Sequence, residues 1–546
     1  MPSTSVVEIL RANPDDCATD TQGLGFVMNI LRAIVAAACL MLASGFSARA
    51  EDVTLTSRDG SIELTGTLLT FDGEFYRVDT EFGILTVDSS GVTCEGPGCP
   101  SLGPFVAELT ISGAYSMGQV LFPALVEGFA LRQGYALKRE EVLGIGTLYT
   151  LYDGASGQEQ ARITIKLTTS AEGFADLLGQ QADMVLSMRQ ASTRERSMAR
   201  EAGLGDLRIA RQSRVIALDA LVPIVSPGNP VTKISISQLA AIYAGKIRNW
   251  SELGGEDAPI TPYLMDIEEG FGPAFMQSII AASGVTLSDR VRFHPSNKAL
   301  TDAIARDPFG IAITSFMQPG NGEVVQLSGP CGFKVQASAN SIKSEDYPLT
   351  MPMYLYLPER RQPQLARDFL SYLRTDSAQF VTRRAGFVDQ ALTRIPVYEQ
   401  GDRMANAIAA SGEEVALSEL KRMVESLDGK DRLSISFRFE GGSTLLDAPS
   451  RSNVALLARA LESGRFDGRQ VMFVGFSDGQ GAAEQNLNLA KKRAAAVRNQ
   501  VQQQLEAFDE ARVDLQVEAF GEAMPMACDD SAWGRGVNRR VEIWVD

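Results

Sequence analysis

The chain has 546 residues, 45% hydrophobic and 22% charged, with 51 basic side chains against 67 acidic ones and a net charge of −16. That length exceeds what one core organises and implies three to four folded domains. The acidic balance excludes a nucleic-acid partner, because no basic field is available to displace counterions from phosphates, and it disfavours adsorption to anionic lipid.

Residues 1–50 read as an export segment. From Met28 there is a short basic start, an apolar run from Ala33 to Phe46 and the small-residue ending Ala48-Arg49-Ala50. This is the pattern of a secretory signal, too short to span a bilayer stably. Met28 is the expected start, with residues 1–27 an upstream mis-start. A lipid-attachment role for Cys39 is disfavoured, since Ala36-Ala37-Ala38 is a poor lead-in and cleavage there would halve the apolar run. Removal of the segment leaves Cys94, Cys99, Cys331 and Cys528. "CEGPGC" puts Cys94 and Cys99 across a Gly-Pro-Gly turn, within disulfide reach in an oxidising compartment; a metal half-site is the alternative, without a second pair of ligands. Cys331 and Cys528 lie far apart in sequence and in different expected domains, and only the first pair is expected to be oxidised. An exported, periplasmic protein follows, and no later segment is apolar for long enough to cross a membrane.

Residues 52–101 alternate apolar and polar side chains, with turn signals at Asp59-Gly60, Asp72-Gly73, Gly83 and Gly91. Period two with frequent turns predicts a small antiparallel β module. It carries no chemistry, and docking or spacing is its expected role.

Residues 105–395 repeat a strand–turn–helix grammar, as in "VAELTISGAYSMGQVLFPALVEGFALRQ" and "ARITIKLTTSAEGFADLLGQQADMVLSM". Such units predict α/β lobes with parallel-rich sheets, and the length favours two lobes around a cleft. The turns would supply its chemistry: Ser116, Ser170 and Ser187 with Arg189 each follow a strand at the expected opening of a helix. Helix N-termini present free N–H groups and the positive end of the dipole, and a guanidinium fork adds donors for an oxyanion. Each serine taken alone is an ordinary N-cap; together with Arg189 they point to an anion site. The lone His294 removes Ser-His-Asp and histidine-metal chemistry, so no enzyme and no cofactor are expected.

"SQLAAIYAGKIRNWSELGG" (Ser237 to Gly255), preceded by "ALDALVPIVSPGNPV" and followed by "DPFGIA", "YPLTMPMYLYLP" and "FLSYLRTDSAQFVTRRAGFV", resembles the phosphate-binding proteins of phosphate ABC importers. The resemblance covers about 290 residues. It implies a two-lobed, type II periplasmic-binding-protein fold, phosphate or a related small anion as ligand, and an ABC importer permease as partner. The family's first binding loop, Gly-Ser-x-Thr, is Gly113-Ala114-Tyr115-Ser116 here; its Ser-Gly-Thr-Arg loop is Glu269-Gly270-Phe271-Gly272; and Met351 stands where arginine is frequent. Glu172 adds another acid at a helix start, and a carboxylate facing a dianion costs affinity unless protonated or turned away. The family's loops fall at Ala114, Tyr115, Ser116 and Gly270, which with Ser170, Ser187 and Arg189 from the helix openings make the expected ligand contacts, and phosphate itself is less firmly indicated than the fold.

Residues 396–430 place Leu417, Leu420, Met423 and Leu427 at helical spacing opposite a charged side, predicting a helical spacer. Residues 431–546 read β-α-β-α-β-β, a compact α/β domain. Within "VGFSDGQGAAEQNLNLAKKRAAAV", Asp478 sits in a glycine-flanked turn, while Asn486, Leu489 and Arg493 run along one edge of the following helix. Asp478 and Arg493 can pair with each other or divide a zwitterion between them. The stretch, with "AFGEAMPMA" and "NRRVEIWV", is similar to the OmpA-like peptidoglycan-binding domain, matching its pattern at Gly475, Ser477, Asp478, Gly481, Asn486, Leu489, Arg493 and Ala494. The resemblance implies that Asp478 takes the ammonium and Arg493 the carboxylate of diaminopimelate in the wall peptide, with Asn486 and Leu489 beside them. The combined expectation is a non-enzymatic periplasmic anion-binding protein anchored to peptidoglycan and associated with the outer membrane; the alternative is a wall-anchored structural or sensory protein whose lobes have lost phosphate.

Overall fold

The computed structural model describes residues 52–100, 105–267, 271–409, 415–440, 443–505, 509, 511–530 and 532–546. The export segment, with Met28 and Cys39, lies outside the described residues, as do Glu269 and Gly270. The chain divides into two compact units, Met1–Leu102 and Gly103–Asp546.

In the first unit, alternation produces five strands, Asp52–Ser57, Glu63–Phe71, Phe75–Thr80, Gly83–Asp88 and Val92–Glu95, in one antiparallel sheet. The last strand returns to the first, with Cys94 opposite Leu55. So short a chain closes over a small core, in which Val53, Leu55 and Val78 are buried. Cys94 and Cys99 are joined, Sγ–Sγ 1.95 Å, and tie off the turn after the last strand.

The second unit begins with two lobes. One holds the strands Ala107–Ala114, Tyr135–Val142, Gly146–Asp153, Glu159–Thr168 and Met184–Ser187 under the helices Phe122–Gln133, Gln364–Tyr372 and Asp376–Arg384; Phe122, Phe129, Tyr149 and Phe369 fill its core. The other packs the helices Ile236–Tyr243 and Asn297–Ile304 on the strands Thr261–Met265, Arg292–His294 and Gly310–Ser315, around Tyr243, Trp250, Phe275 and Leu300. Ser213–Val225 links them. Its first half pairs with Thr350–Tyr356 and its second half with Gly310–Ser315. A strand covered on both faces must be apolar nearly throughout, which is why this one reads "VIALDALVPIV". The fold is the two-lobed type II arrangement.

The C-terminal sheet has the order Arg394–Pro396, Asp431–Arg438, Arg540–Val545, Gln470–Phe476, Asp514–Gly521. Strand alternation divides Gln470–Phe476 between two cores. Val471 and Phe473 face the helices Ala448–Glu462 and Ala483–Gln504, while Met472, Val474 and Phe476 face the other way. That second face is covered by the segment expected to be a spacer: Ala407 of helix Gly401–Ala409, and Leu420, Met423 and Leu427 of helix Leu417–Leu427, are buried there with Trp544. The apolar stripe read as a free helix is the lid of a core, so residues 394–430 belong to the C-terminal domain.

The lobes and this domain are also fused, not strung together. Arg432 forms a two-pronged ion pair with Asp346, Arg438 meets Glu345 at 3.3 Å, and Ser452 Oγ accepts from Val215 N at 3.2 Å. Cys331 and Cys528, expected to remain apart, are bonded, with Cα atoms 5.7 Å apart. Sequence distance misled here because the two loops meet over a shared apolar cluster, in which Phe333 packs with Met526, Ala527 and Val537. This crosslink closes a span of 197 residues. Replacing both cysteines by serine is therefore expected to destabilise the unit by about 2–4 kcal/mol, mainly by freeing the unfolded chain. The urea midpoint measures this, and an unchanged midpoint would show that the crosslink constrains nothing.

Candidate functional site

The turn at 477–481 and the helix after it form the most built site. Strand Gln470–Phe476 ends at Ser477 and Asp478, and Ser477 N donates to Gly521 O at 2.9 Å. Gly475 lets the long helix press onto the strand: a Cβ there would lie 2.2 Å from Ala490 O. Gly481 completes the turn at φ +107°. This close approach puts Arg493 in the packing layer, 3% exposed, its guanidinium carbon 5.2 Å from the Phe439 ring centre.

Asp478 does not pair with Arg493. It takes Arg539 instead, at 2.5 Å. Arg493 Nε and Nη1 are buried with no hydrogen-bond partner among the described residues. Burial first, and then the charge of Arg539, pull the Arg493 guanidinium below its ordinary value; Asp478 offsets this in part. Asn486 Nδ2 donates to Glu522 Oε1 at 2.6 Å and to Gln480 O at 3.1 Å, which fixes the turn, while Leu489 stands 38% exposed on the same helix. Asp529 Oδ2 accepts from Gly479 N at 2.7 Å and is itself held by Asn538 Nδ2 at 2.8 Å. A buried cation with open donors, beside a carboxylate that has a cation of its own, can receive an anionic group; the Asp478–Arg539 pair can exchange with an ammonium.

The interlobe residues come together differently from the expectation. Ser116, Ser170, Ser187 and Arg189 gather around Met188: Ser170 Oγ accepts from Met188 N at 3.1 Å, Ser116 Oγ lies 3.6 Å from Met188 Sδ, and Ser187 Oγ bonds Arg189 N and O at 3.2 and 2.7 Å. Two helix assignments are corrected. Thr169, not Ser170, caps helix Ser170–Leu178, and Ser192 caps helix Thr193–Glu201, six residues after the strand that ends at Ser187. Arg189 has a carboxylate partner. Glu195 holds it through two hydrogen bonds of 2.8 and 2.7 Å, and its guanidinium lies over Phe174 at 5.2 Å. Glu172 bonds Thr169 N at 2.9 Å within a capping box, so its carboxylate is turned onto its own helix. Ala114 is buried at a strand end, Tyr115 is 52% exposed, and Gly270 lies outside the described residues. His294 is half-buried, with Nε2 lacking a partner among the described residues.

Residues 147–377 match the family model of the PBP superfamily domain, and residues 438–539 that of the OmpA family. The chain carries a PBP superfamily domain and an OmpA family domain. Protein SphX of Synechococcus elongatus is 22% identical over 262 residues, covering 45% of this chain and 75% of that protein. The phosphate-binding protein PstS of Bacillus subtilis is 28% identical over 164 residues, 30% of this chain and 52% of that one. Among solved structures, an ABC-type phosphate transport receptor from Vibrio cholerae aligns with TM-score 0.40 at 17% identity, over 51% of this chain and all but 1% of its own length (99%).

In the OmpA domain, Arg539, Asp529 and Phe439 were not singled out from the sequence. Arg539 lies inside the quoted "NRRVEIWV", but nothing local says that it reaches back 61 residues to Asp478. For the PBP domain the missed residue was legible: Ser192-Thr193-Arg194-Glu195 is a capping-box signature, which places Glu195 where it meets Arg189.

Proposed function

We propose that this protein is a non-enzymatic, periplasmic binding protein held to the cell wall. Its OmpA domain grips the zwitterionic diaminopimelate of peptidoglycan, with Arg493 taking the carboxylate and Asp478 the ammonium. Its PBP lobes take a small anion, phosphate or a relative, for an importer permease. The observation carrying the anchor is the buried Arg493 guanidinium, its Nε and Nη1 unpartnered among the described residues, next to a turn carboxylate. Buried charge without a partner is costly, and an incoming carboxylate removes that cost. Co-sedimentation of the full chain with diaminopimelate-containing sacculi tests it; a chain left entirely in the supernatant would overturn it.

The Arg189–Glu195 pair favours a second reading of the lobes, as a sensory or structural module that has left phosphate behind. An anion contacting Arg189 competes with Glu195 for the guanidinium. Glu195→Gln keeps the capping box but removes the competing charge, so under the anion reading it is expected to tighten phosphate binding about tenfold or more, the range of a charged hydrogen bond. Arg189→Ala is expected to weaken it by about 1.5–3 kcal/mol. Titration calorimetry giving no heat with phosphate, sulfate or small organic anions, for wild type and Glu195→Gln alike, would leave the second reading in place.

A further inference from the structure

The turn that carries Asp478 is held at two neighbouring residues by one stretch of the chain, 529–539. Arg539 takes the carboxylate of Asp478, and Asp529 Oδ2 accepts from Gly479 N at 2.7 Å. The second contact is close-fitting: a Cβ on Gly479 would lie 2.9 Å from that oxygen. Asp529 belongs to residues 522–530, which form neither strand nor helix, so its place depends on the side chains that grip this loop. From its own domain the grip is Asn538. Its Oδ1 accepts from Met526 N at 2.6 Å and Ala527 N at 3.0 Å, and its Nδ2 donates to Ala527 O and Asp529 Oδ1, both at 2.8 Å.

The residue between Ala527 and Asp529 is Cys528, and it is held from the second lobe. There the strands Gln326–Ser328 and Lys334–Val335 pair, and the turn between them carries Cys331, which is bonded to Cys528. The first of these strands also pairs with Lys233–Ser235, and Ile234 and Leu327 are buried in the core around Trp250, so the turn is fixed to that lobe. It lies directly on the sulfur: Cys331 N donates to Cys528 Sγ at 3.2 Å, and a Cβ at Gly329 would stand 2.3 Å from that atom. Phe333 completes the seat in one apolar cluster with Met526, Ala527 and Cys528.

We propose that the second lobe is part of the wall anchor: through Cys331 and Cys528 it seats Asp529, and Asp529 is the positioning residue that holds the Asp478 turn for its ligand. This rests on the wall-anchor reading above. In that reading Asp478 leaves Arg539 to take the ammonium of diaminopimelate. The hydrogen bond from Gly479 N to Asp529 is then the contact that keeps this part of the turn against residues 529–539, and it is a charge-assisted bond that the ligand does not displace. A positioning group works only as well as its own seat is fixed. Loss of the crosslink frees the loop from the second lobe and leaves Asn538 to hold it from one domain. Wall binding therefore depends on Asp529, which touches no ligand, and on Cys331, which lies outside the OmpA domain.

Full-length wild type, Asp529→Ala, Cys331→Ser/Cys528→Ser and, as a control for losing a disulfide elsewhere, Cys94→Ser/Cys99→Ser are compared at a temperature where circular dichroism shows them folded. Hydrogen exchange reads the Gly479 amide without ligand, and titration with diaminopimelate-containing sacculi reads affinity. Asp529→Ala keeps the crosslink; it is expected to exchange Gly479 faster and to bind sacculi about tenfold more weakly, the scale of one charged hydrogen bond. Cys331→Ser/Cys528→Ser should move both readouts the same way, by about threefold or more, the low end for a hydrogen bond, since Asn538 still holds the loop. Dithiothreitol, which splits the S–S bond into two thiols as it closes to its own disulfide, should bring folded wild type to the same values. Cys94→Ser/Cys99→Ser should match wild type. A role in stability alone would leave the affinity of the folded protein unchanged. Wild-type affinity in Asp529→Ala or in the crosslink variant, or wild-type exchange at Gly479 in both, overturns the proposal and leaves the anchor standing. Wild type that fails to sediment with sacculi overturns the wall-anchor reading itself, and this proposal with it.

Discussion

Arg493→Ala and Asp478→Ala are each expected to abolish co-sedimentation of the protein with sacculi. Arg493 is buried with Nε and Nη1 unpartnered among the described residues, so a ligand carboxylate there meets donors that need no rearrangement. Truncating one member of a buried, hydrogen-bonded charge pair costs about 2–5 kcal/mol of binding, roughly thirtyfold to several thousandfold. Asp478 has to release Arg539 to receive the ammonium, so its loss removes that contact and leaves Arg539 without its carboxylate. The two groups serve opposite ends of one ligand, and the double substitution should cost less than the sum of the single ones. Stability separates binding from structure. Because Arg493 makes no ion pair among the described residues, Arg493→Ala should leave the urea midpoint unchanged or raise it, whereas a structural arginine would lower it. Arg493→Lys should not restore binding, since a point charge cannot reproduce the fork. Retained sacculus binding by both folded alanine variants would sink the assignment.

Glu542→Gln should be the most destabilising of the conservative changes considered. Its carboxylate accepts from Arg403 Nη2 at 2.5 Å, Arg540 Nε at 2.7 Å and Trp544 Nε1 at 3.1 Å, and lies 3.3 Å from Arg432 Nε. Arg432 is shared with Asp346 of the second lobe, so the network joins the two domains through the fully buried Glu542. Burial pushes the Glu542 carboxyl up, but Arg403, Arg432 and Arg540 together overcome it and hold it well below the usual carboxylate range. Neutralising it leaves three guanidinia facing Asp346 alone, which is expected to cost about 3–5 kcal/mol. The sign of the pH dependence follows. A depressed folded-state pKa contributes stability above the ordinary carboxylate value of about 4, and that stability is lost as the pH falls below it. The wild type should therefore lose more stability between neutral pH and about pH 3 than Glu542→Gln does. A midpoint within about 1 kcal/mol of wild type, with the same acid limb, would show that the carboxylate is replaceable.

What the sequence determined by itself is the set of folds and families. Periodicity is a property of a short window: "VIALDALVPIV" announces a doubly covered strand, and the alternation of 52–101 a small sheet, wherever they lie in space. The motifs are equally local. Asp478, Asn486 and Arg493 sit on one turn and one helix, so their spacing is set by helix geometry and the OmpA family can be read from it. Glu195 belonged to this legible class, through its capping box, and its consequence for Arg189 is a matter of six residues.

Tertiary structure alone decided which charges have partners. Asp478 could choose between Arg493 and Arg539, and the return of the last strand beside Gln470–Phe476 gave it Arg539, leaving Arg493 open. Cys331 finds Cys528, and Asp346 finds Arg432 across 86 residues, because the fold brings segments of the second lobe onto the C-terminal domain. The apolar stripe of Leu417–Leu427 could have faced solvent partners or a core; the uncovered side of the C-terminal sheet took it. A buried charge or apolar face must be satisfied by whatever the fold brings to it, and that neighbour is chosen by packing over tens to hundreds of residues, a distance at which no pattern within the chain carries the information.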